Sequence, residues 1–297
     1  MKALHDLAAP AKLNLFLHVV GKRPDGYHLL QSVFVLIDWA DTLHVELRGD
    51  GALARHDMLG GDLPADDLCL RAARLLRVET GCTLGADIHL EKRLPAGAGM
   101  GGGSSDAATT LLALNRLWDL RLPLQRLLAL GLKLGADVPF FLGGGPAFVE
   151  GIGEILHPLT LPEQRFAVIK GPAGLATKEI FSSDLLARSE NLAIVAGFPA
   201  LAGTAEKLLT GFGRNDLQPA AESISSEVRD ALALMSKQFG NARMTGSGAA
   251  VFSVLARDGK DGKDDQSLAT LLQARPEGWT GRICRSLAQH PLAGWAD

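Results

Sequence analysis

Between Pro95 and Asp106 the chain reads Pro-Ala-Gly-Ala-Gly-Met-Gly-Gly-Gly-Ser-Ser-Asp, with five glycines in the seven residues from Gly97 to Gly103. Glycine loses more backbone freedom on folding than any other residue, so this density argues against a helix or strand interior. The flanks are different. Ile88-His-Leu-Glu-Lys92 alternates like a strand, and Ala107 to Trp118 has helical character. A glycine-rich loop that opens a helix is a ready anion site. Its N–H groups face outward, the helix N-terminus carries partial positive charge, and no Cβ blocks a phosphate. The stretch Pro95, Ala96, Gly97, Ala98, Gly99, Met100, Gly101, Gly102, Gly103, Ser104 and Ser105 therefore reads as a nucleotide-phosphate cradle. A tight turn packed on a neighbour is the competing reading.

The residues beyond the loop constrain the kind of cradle. Gly97-x-Gly99-x-x-Gly102 matches the dinucleotide fingerprint, and Asp119 lies near the expected distance. In that fingerprint the acid ends a second strand. Here Asp119 comes after a helical pattern, and the crossover is too short to hold both elements. No Gly-Lys-Ser/Thr follows the first glycine, so the Walker pattern fails too. Neither a His-Arg-Asp catalytic loop nor an Asp-Phe-Gly is present, which excludes a protein kinase.

Other segments supply candidate chemistry. Leu13 to Val20 reads as a strand with Lys12, Asn14, Phe16 and His18 on one face. Lys12 is either an ordinary surface lysine or a site residue. The turn Pro24-Asp25-Gly26 delivers Tyr27, the chain's one tyrosine, and His28 to a strand from Leu30 to Ile37. The pair could be a stacking platform for a flat ligand or a packed hairpin rim. Thr42 to Leu47 alternates as a further strand, and Asp66-Asp67 caps a helix to about Val78. Pro123 and Gly135 bracket a helix from Leu124 to Leu134. In Gly135-Ala-Asp-Val-Pro139, Asp137 is an acid amid apolar residues, either a turn or N-cap acid or a carboxylate held in a cleft. Composition shifts near residue 157. Beyond it come a strand at Phe166 to Lys170, a loop-helix segment carrying Phe181, and a helix from Ser226 to Phe239. Arg243-Met-Thr-Gly-Ser-Gly-Ala-Ala-Val-Phe252 reads as a turn of small residues entering a strand. Its two glycines allow a close backbone approach, to the first glycine loop or to its ligand, and a plain β-turn is the alternative. Asp258 to Gln266 is expected to be an exposed loop, Ser267 to Gln273 a helix, Thr280 to Arg285 a strand, and the residues after His290 loosely held.

Length suggests two domains, here divided as 1–157 and 158–297. A net charge of −3 gives no sign of a nucleic-acid or membrane surface. Cys69, Cys82 and Cys284 have neither metal spacing nor a pairing pattern, and the first residues lack a signal-peptide core. A reduced cytoplasmic setting is expected. No apolar run reaches the ~18 residues of a membrane span.

Taken together, Pro10-Ala-Lys-Leu-Asn-Leu15, the glycine loop through Ala108, Gly135-Ala-Asp-Val-Pro139 and Arg243-Met-Thr-Gly-Ser-Gly-Ala249 resemble the GHMP small-molecule kinases. Arg23-Pro-Asp-Gly-Tyr-His28 points to the branch of the non-mevalonate isoprenoid pathway. The resemblance implies an α/β (α+β) fold of two domains, ribosomal-S5-like then ferredoxin-like, with the site in the cleft between them. It implies ATP and Mg²⁺ as cofactors and phosphorylation of the 2-hydroxyl of a cytidine diphosphate sugar-alcohol. It also implies that Lys12 and Asp137 are catalytic. Asn14, Tyr27, His28 and Phe181 would bind substrate, His28 by hydrogen bonds to the cytosine and Tyr27 by stacking. Lys92 is a weaker nucleotide contact, and the metal ligands and oligomeric state stay open. Met100 stands where the family usually has leucine. Another kinase of the family, or a non-catalytic ligand sensor with the same fold, is the alternative.

Overall fold

A computed structural model describes residues 2–60, 64–186, 212–256 and 261–296. Two long strands form its spine, β1 (Ala3–Lys22) and β2 (His28–Arg48), paired antiparallel along their length. The turn between them is the one expected: the N–H of Gly26 donates to the Arg23 carbonyl at 3.0 Å, with Gly26 at φ +93°. β2 is one strand, where the pattern suggests two. Pro10 faces Ala40 while Ala11 faces Ile37, so a bulge places two extra residues, Asp38 and Trp39, in β2, and the alternation stays in phase, with Ile37, Trp39, Asp41, Leu43 and Val45 all buried. Two acids, Asp38 and Asp41, interrupt the apolar run there. The sequence then reads as a break although the backbone continues.

The other edge of β2 is shared. β4 (Gly85–Glu91) pairs with its end, β5 (Ala147–Glu150) with its start, and β10 (Thr280–Leu287) touches it between them. β3 (Leu53–Asp57) runs parallel to β4, and α1 (Leu68–Thr80) crosses between them. The Asp67 side chain caps α1 by accepting the Leu70 N–H at 3.0 Å. α2 (Gly102–Leu117), α3 (Leu124–Leu134) and α4 (Val138–Gly143) complete this half, and β6 (Ile155–Pro158) forms a hairpin with β5. α3 has the bounds expected from Pro123 and Gly135. α2 instead starts five residues before the apolar pattern does, because its first turn is built from Gly102, Gly103, Ser104 and Ser105.

In the second half, β7 (Arg165–Lys170), β8 (Arg243–Met244), β9 (Val251–Val254) and β10 stand in the order β10-β7-β9-β8. The connections carry α5 (Thr177–Phe181), α6 (Gln218–Ile224), α7 (Ser226–Phe239) and α8 (Asp261–Gln273). This is the β-α-β-β-α-β arrangement of ferredoxin-like folds. α8 corrects the loop expected over 258–266: residues 258–260 lie outside the described ones, and from Asp261 on the polar run is helix. Asp264 there receives the buried Arg165 guanidinium at 2.9 Å. The residues after His290 are also held. The His290 N–H donates to the Gly144 carbonyl at 2.6 Å, Leu292 is buried in the core of the first half, and the Arg116 guanidinium lies 4.6 Å from the Trp295 ring.

Candidate functional site

The glycine loop leaves β4 and enters α2 through a run of left-handed glycines, Gly97, Gly99 and Gly101, at φ +61°, +71° and +73°. The first helical bond of α2 runs from the Ser105 N–H to the Gly101 carbonyl at 2.9 Å. The N–H groups of Gly102, Gly103 and Ser104 precede that bond and have no partner within the helix. The loop is clamped on both sides. On one side the Lys12 N–H donates to the Met100 carbonyl at 2.9 Å. On the other, the N–H groups of Ala249 and Ala250 donate to the carbonyls of Gly97 (2.9 Å) and Ala98 (3.1 Å). The turn around Ser247 thus lies against the first glycine loop, the closer of the approaches its glycines permit. The packing is tight: a Cβ on Gly99 would stand 2.3 Å from the Thr245 carbonyl oxygen.

Loop and turn form one wall of a cleft of about 1080 Å³. Lys12, Asn14, Tyr27, His28, Asp137 and Phe181 line the same cleft, as do loop residues 95–104. Ser105 does not: its side chain is fully buried, and its hydroxyl has no hydrogen-bond partner. Leu68, Ser247 and Thr177 also line it. The last two, both in the second half, are held to each other by a 2.8 Å hydroxyl pair. Nothing in the sequence distinguishes Thr177 or Leu68 from ordinary loop and helix residues.

Lys12 is buried, and its ammonium lies 3.6 Å from the Asp137 carboxylate and 4.5 Å from the centre of the Phe34 ring. Burial pushes its pKa below the ordinary lysine value, and Asp137 opposes that shift. Asp137 occupies the N-cap position of α4 without making a capping bond, so its partly exposed carboxylate faces the cleft instead. Asn14 is fully engaged: its Oδ1 accepts from Lys12 Nζ at 2.6 Å and from Thr245 Oγ1 at 3.2 Å, and its Nδ2 donates to Ser32 Oγ at 3.0 Å. At the mouth, the His28 and Phe181 rings stack at 5.2 Å and 22°, while Tyr27 is 59% exposed.

Beneath the loop lies an ionic cluster that composition and spacing do not reveal. Lys92 Nζ donates to Asp41 and, at 2.7 Å, to Asp106. Both carboxylates are buried. One cation cannot neutralise two buried carboxylates, so the ionised form of Asp106 is disfavoured. Burial raises the Asp106 pKa to about 7, with Asp41 adding to the shift and Lys92 opposing it. Burial lowers the Lys92 pKa, but the two carboxylates outweigh it and the net shift is upward. The folded chain therefore holds a proton on Asp106 that the unfolded chain releases near its ordinary 3.8. Folding takes up protons across that window, so this group's contribution to stability falls as pH rises from about 4 to about 7. Asp106→Asn is expected to flatten the fall of the urea midpoint over that range. A slope equal to the wild type's would reject the assignment.

Comparison with known proteins agrees with this geometry. Residues 67–145 match the GHMP kinases N terminal domain, and residues 198–276 match the GHMP kinases C terminal. A protein of Methylibium petroleiphilum named 4-diphosphocytidyl-2-C-methyl-D-erythritol kinase is 56% identical over 298 residues, spanning 100% of this chain and 99% of its own. One of the same name from Paracidovorax citrulli is 56% identical over 300 residues, with 100% and 99% covered. A crystal structure of 4-(cytidine 5'-diphospho)-2C-methyl-D-erythritol kinase superposes with a TM-score of 0.74 at 35% identity, covering 94% of this chain and 98% of that one. Homoserine kinase from Cytophaga hutchinsonii gives 0.71 at 17% identity, covering 98% and 96%, a likeness of fold alone.

Proposed function

Since this chain belongs to the GHMP kinase family, whose two-domain fold it has, we propose that it transfers the γ-phosphoryl of ATP to the 2-hydroxyl of 4-diphosphocytidyl-2-C-methyl-D-erythritol, a step of the non-mevalonate isoprenoid pathway. The observation that carries the reading is the Lys12–Asp137 pair, 3.6 Å apart in a cleft that runs from the glycine loop to the Tyr27–His28–Phe181 mouth. Phosphoryl transfer asks for positioning and charge stabilisation more than for covalent chemistry. The outward N–H groups of residues 102–104 bind the triphosphate. Asp137 orients the acceptor hydroxyl and takes its proton. Lys12 keeps Asp137 ionised and stabilises charge on the transferred group. Tyr27, His28 and Phe181 hold the cytosine end. Asn14 faces the sugar-alcohol end, although its polar atoms already have protein partners. Lys92, at the loop's base, serves the nucleotide end.

Mg²⁺ fits this donor set. Among the described residues no three His, Cys, Asp or Glu side chains gather into a metal cage. Mg²⁺ in kinases needs no such cage, because substrate phosphates and waters supply most of its ligands. The Ser104 hydroxyl, on the cleft wall, is the group that would hold it beside them. It supplies neutralisation of the β- and γ-phosphate oxygens.

We take residues 1–157 as the phosphate-loop domain and 158–297 as its partner. A cytoplasmic setting is supported by the free thiols of Cys69, Cys82 and Cys284. Among the described residues no helix is long and apolar enough to cross a membrane. A ligand sensor of the same fold has no need of a buried lysine facing a carboxylate, and a homoserine or mevalonate kinase has no need of an aromatic mouth. Protein incubated with ATP, Mg²⁺ and the cytidyl substrate should release ADP, with a new phosphomonoester on the 2-oxygen by ³¹P NMR. Turnover of homoserine or mevalonate without turnover of the cytidyl compound would refute the proposal.

A further inference from the structure

Thr245 lies in the second half of the chain, yet its hydroxyl is built into the setting of Lys12. The side chain is fully buried and belongs to the turn whose backbone lies on the glycine loop. Its Oγ1 accepts the Asn14 backbone N–H at 2.9 Å and donates to Asn14 Oδ1 at 3.2 Å. The direction of every proton in this group is determined. Ser32 donates its hydroxyl proton to the Phe16 carbonyl, so toward Asn14 its oxygen only accepts, and it takes Nδ2. That turns Oδ1 toward Lys12 Nζ, 2.6 Å away, and toward the Thr245 hydroxyl. Thr245 is fixed in turn by Asn215. The Asn215 Nδ2 donates to the carbonyls of Met244 and Gly246, on either side of Thr245, at 2.8 Å each.

We propose that Thr245 is a positioning residue for phosphoryl transfer: its hydroxyl holds the Asn14 side chain in the orientation that places the Lys12 ammonium before Asp137. Without that hydroxyl the Asn14 N–H loses its acceptor, and Oδ1 loses one of two bonds that aim it. Apart from Lys12 itself, only the Ser32 bond then aims the Asn14 side chain. A loss of alignment costs turnover more than binding, because Thr245 does not line the cleft.

The inference rests on the kinase reading for its kinetic test and is independent of it for a second one. Thr245→Val keeps the shape and removes the hydroxyl, while Thr245→Ser keeps the hydroxyl. Thr245→Val is expected to lower kcat about 10- to 100-fold, the scale of a small misplacement. Both KM values should stay within about twofold, since the lost bonds touch neither ligand. The alkaline limb of kcat should move to lower pH, because the bond from the Lys12 ammonium to Asn14 favours the charged form. Thr245→Ser should restore most of the rate and the limb. The second test is the titration of Lys12 Nζ followed by ¹⁵N NMR in the free protein, with no substrate present. It should midpoint lower in Thr245→Val than in the wild type or Thr245→Ser. If Thr245→Val does not fold, Thr245→Ala serves in its place. Wild-type kcat and Lys12 titration in the hydroxyl-free variant would overturn the inference. So would a Thr245→Ser variant as slow as Thr245→Val, which would assign the loss to the methyl group. A wild type that does not turn over the cytidyl substrate refutes the functional reading instead and leaves the NMR comparison to decide this one.

Discussion

Asp137→Asn is expected to lower kcat at least ~10²-fold with little change in the KM for ATP. The amide keeps the volume and the place at the head of α4, and Asp137 makes no capping bond that the change could break. What disappears is the charge. The acceptor hydroxyl then has no carboxylate to take its proton. The buried Lys12 ammonium also loses the anion 3.6 Å away that opposes its desolvation. The second effect has its own signature. The Lys12 pKa, already below the ordinary lysine value, falls further, so the residual activity should decline at a lower alkaline pH than in the wild type. Steady-state kinetics from pH 6 to about 10 would show both. A rate within about threefold of the wild type would reject proton transfer through Asp137. A normal rate profile with an unmoved alkaline limb would also remove Lys12 from the account.

Gly99→Ala is expected to affect folding and activity together. Gly99 sits at φ +71°, and its missing side chain would lie 2.3 Å from the Thr245 carbonyl oxygen and 2.8 Å from the Gly248 nitrogen. Both are backbone atoms and cannot rotate away. The left-handed backbone and the overlap together should destabilise the chain by about 3 kcal/mol or more. Any fold that survives must separate the glycine loop from the turn at 245–250 and so distort the phosphate wall. Gly81→Ala supplies the comparison. It has the same φ, +71°, in the left-handed region at the C-cap of α1, but nothing within 4 Å of its would-be Cβ. It should show the backbone term alone, about 1 kcal/mol. Equal urea midpoints for the two variants would mean that the contact between the loops contributes nothing.

Several features are legible because their signals are local. Pro123 and Gly135 bracket α3, the Ser226–Phe239 pattern gives α7 its limits, and Asp67 caps α1. The glycine loop announces itself by composition. The pairing of Lys12 with Asp137 is different, since 125 positions separate them and no periodicity links them; the family resemblance supplies it. What escapes is mostly non-local. The bulge at Asp38 and Trp39 hides the continuity of β2, because Asp38 and Asp41 interrupt the apolar run where the strand does not end. No spacing or periodicity links Asp41, Lys92 and Asp106, and only the fold brings them together below α2. The family resemblance makes Asn14 a substrate ligand. Its other partners, Ser32 and Thr245, come from a neighbouring strand and from the far half of the chain.

The backbone bonds from Ala249 and Ala250 to Gly97 and Ala98 have a consequence for how ligands get in. An enzyme that swallows its nucleotide by swinging two lobes about a hinge must keep the lobes free of each other near the phosphates. Here the lobes are laced together at that very place, and β10 laces them again by pairing with both β2 and β7. A clamshell motion would have to break these backbone hydrogen bonds on each cycle. Traffic is therefore confined to the open ends of a fixed trough. On the proposed function, retuning such a catalyst for a substrate with another end group is then a matter of reshaping the aromatic end at Tyr27, His28 and Phe181, with the phosphate end left as it is.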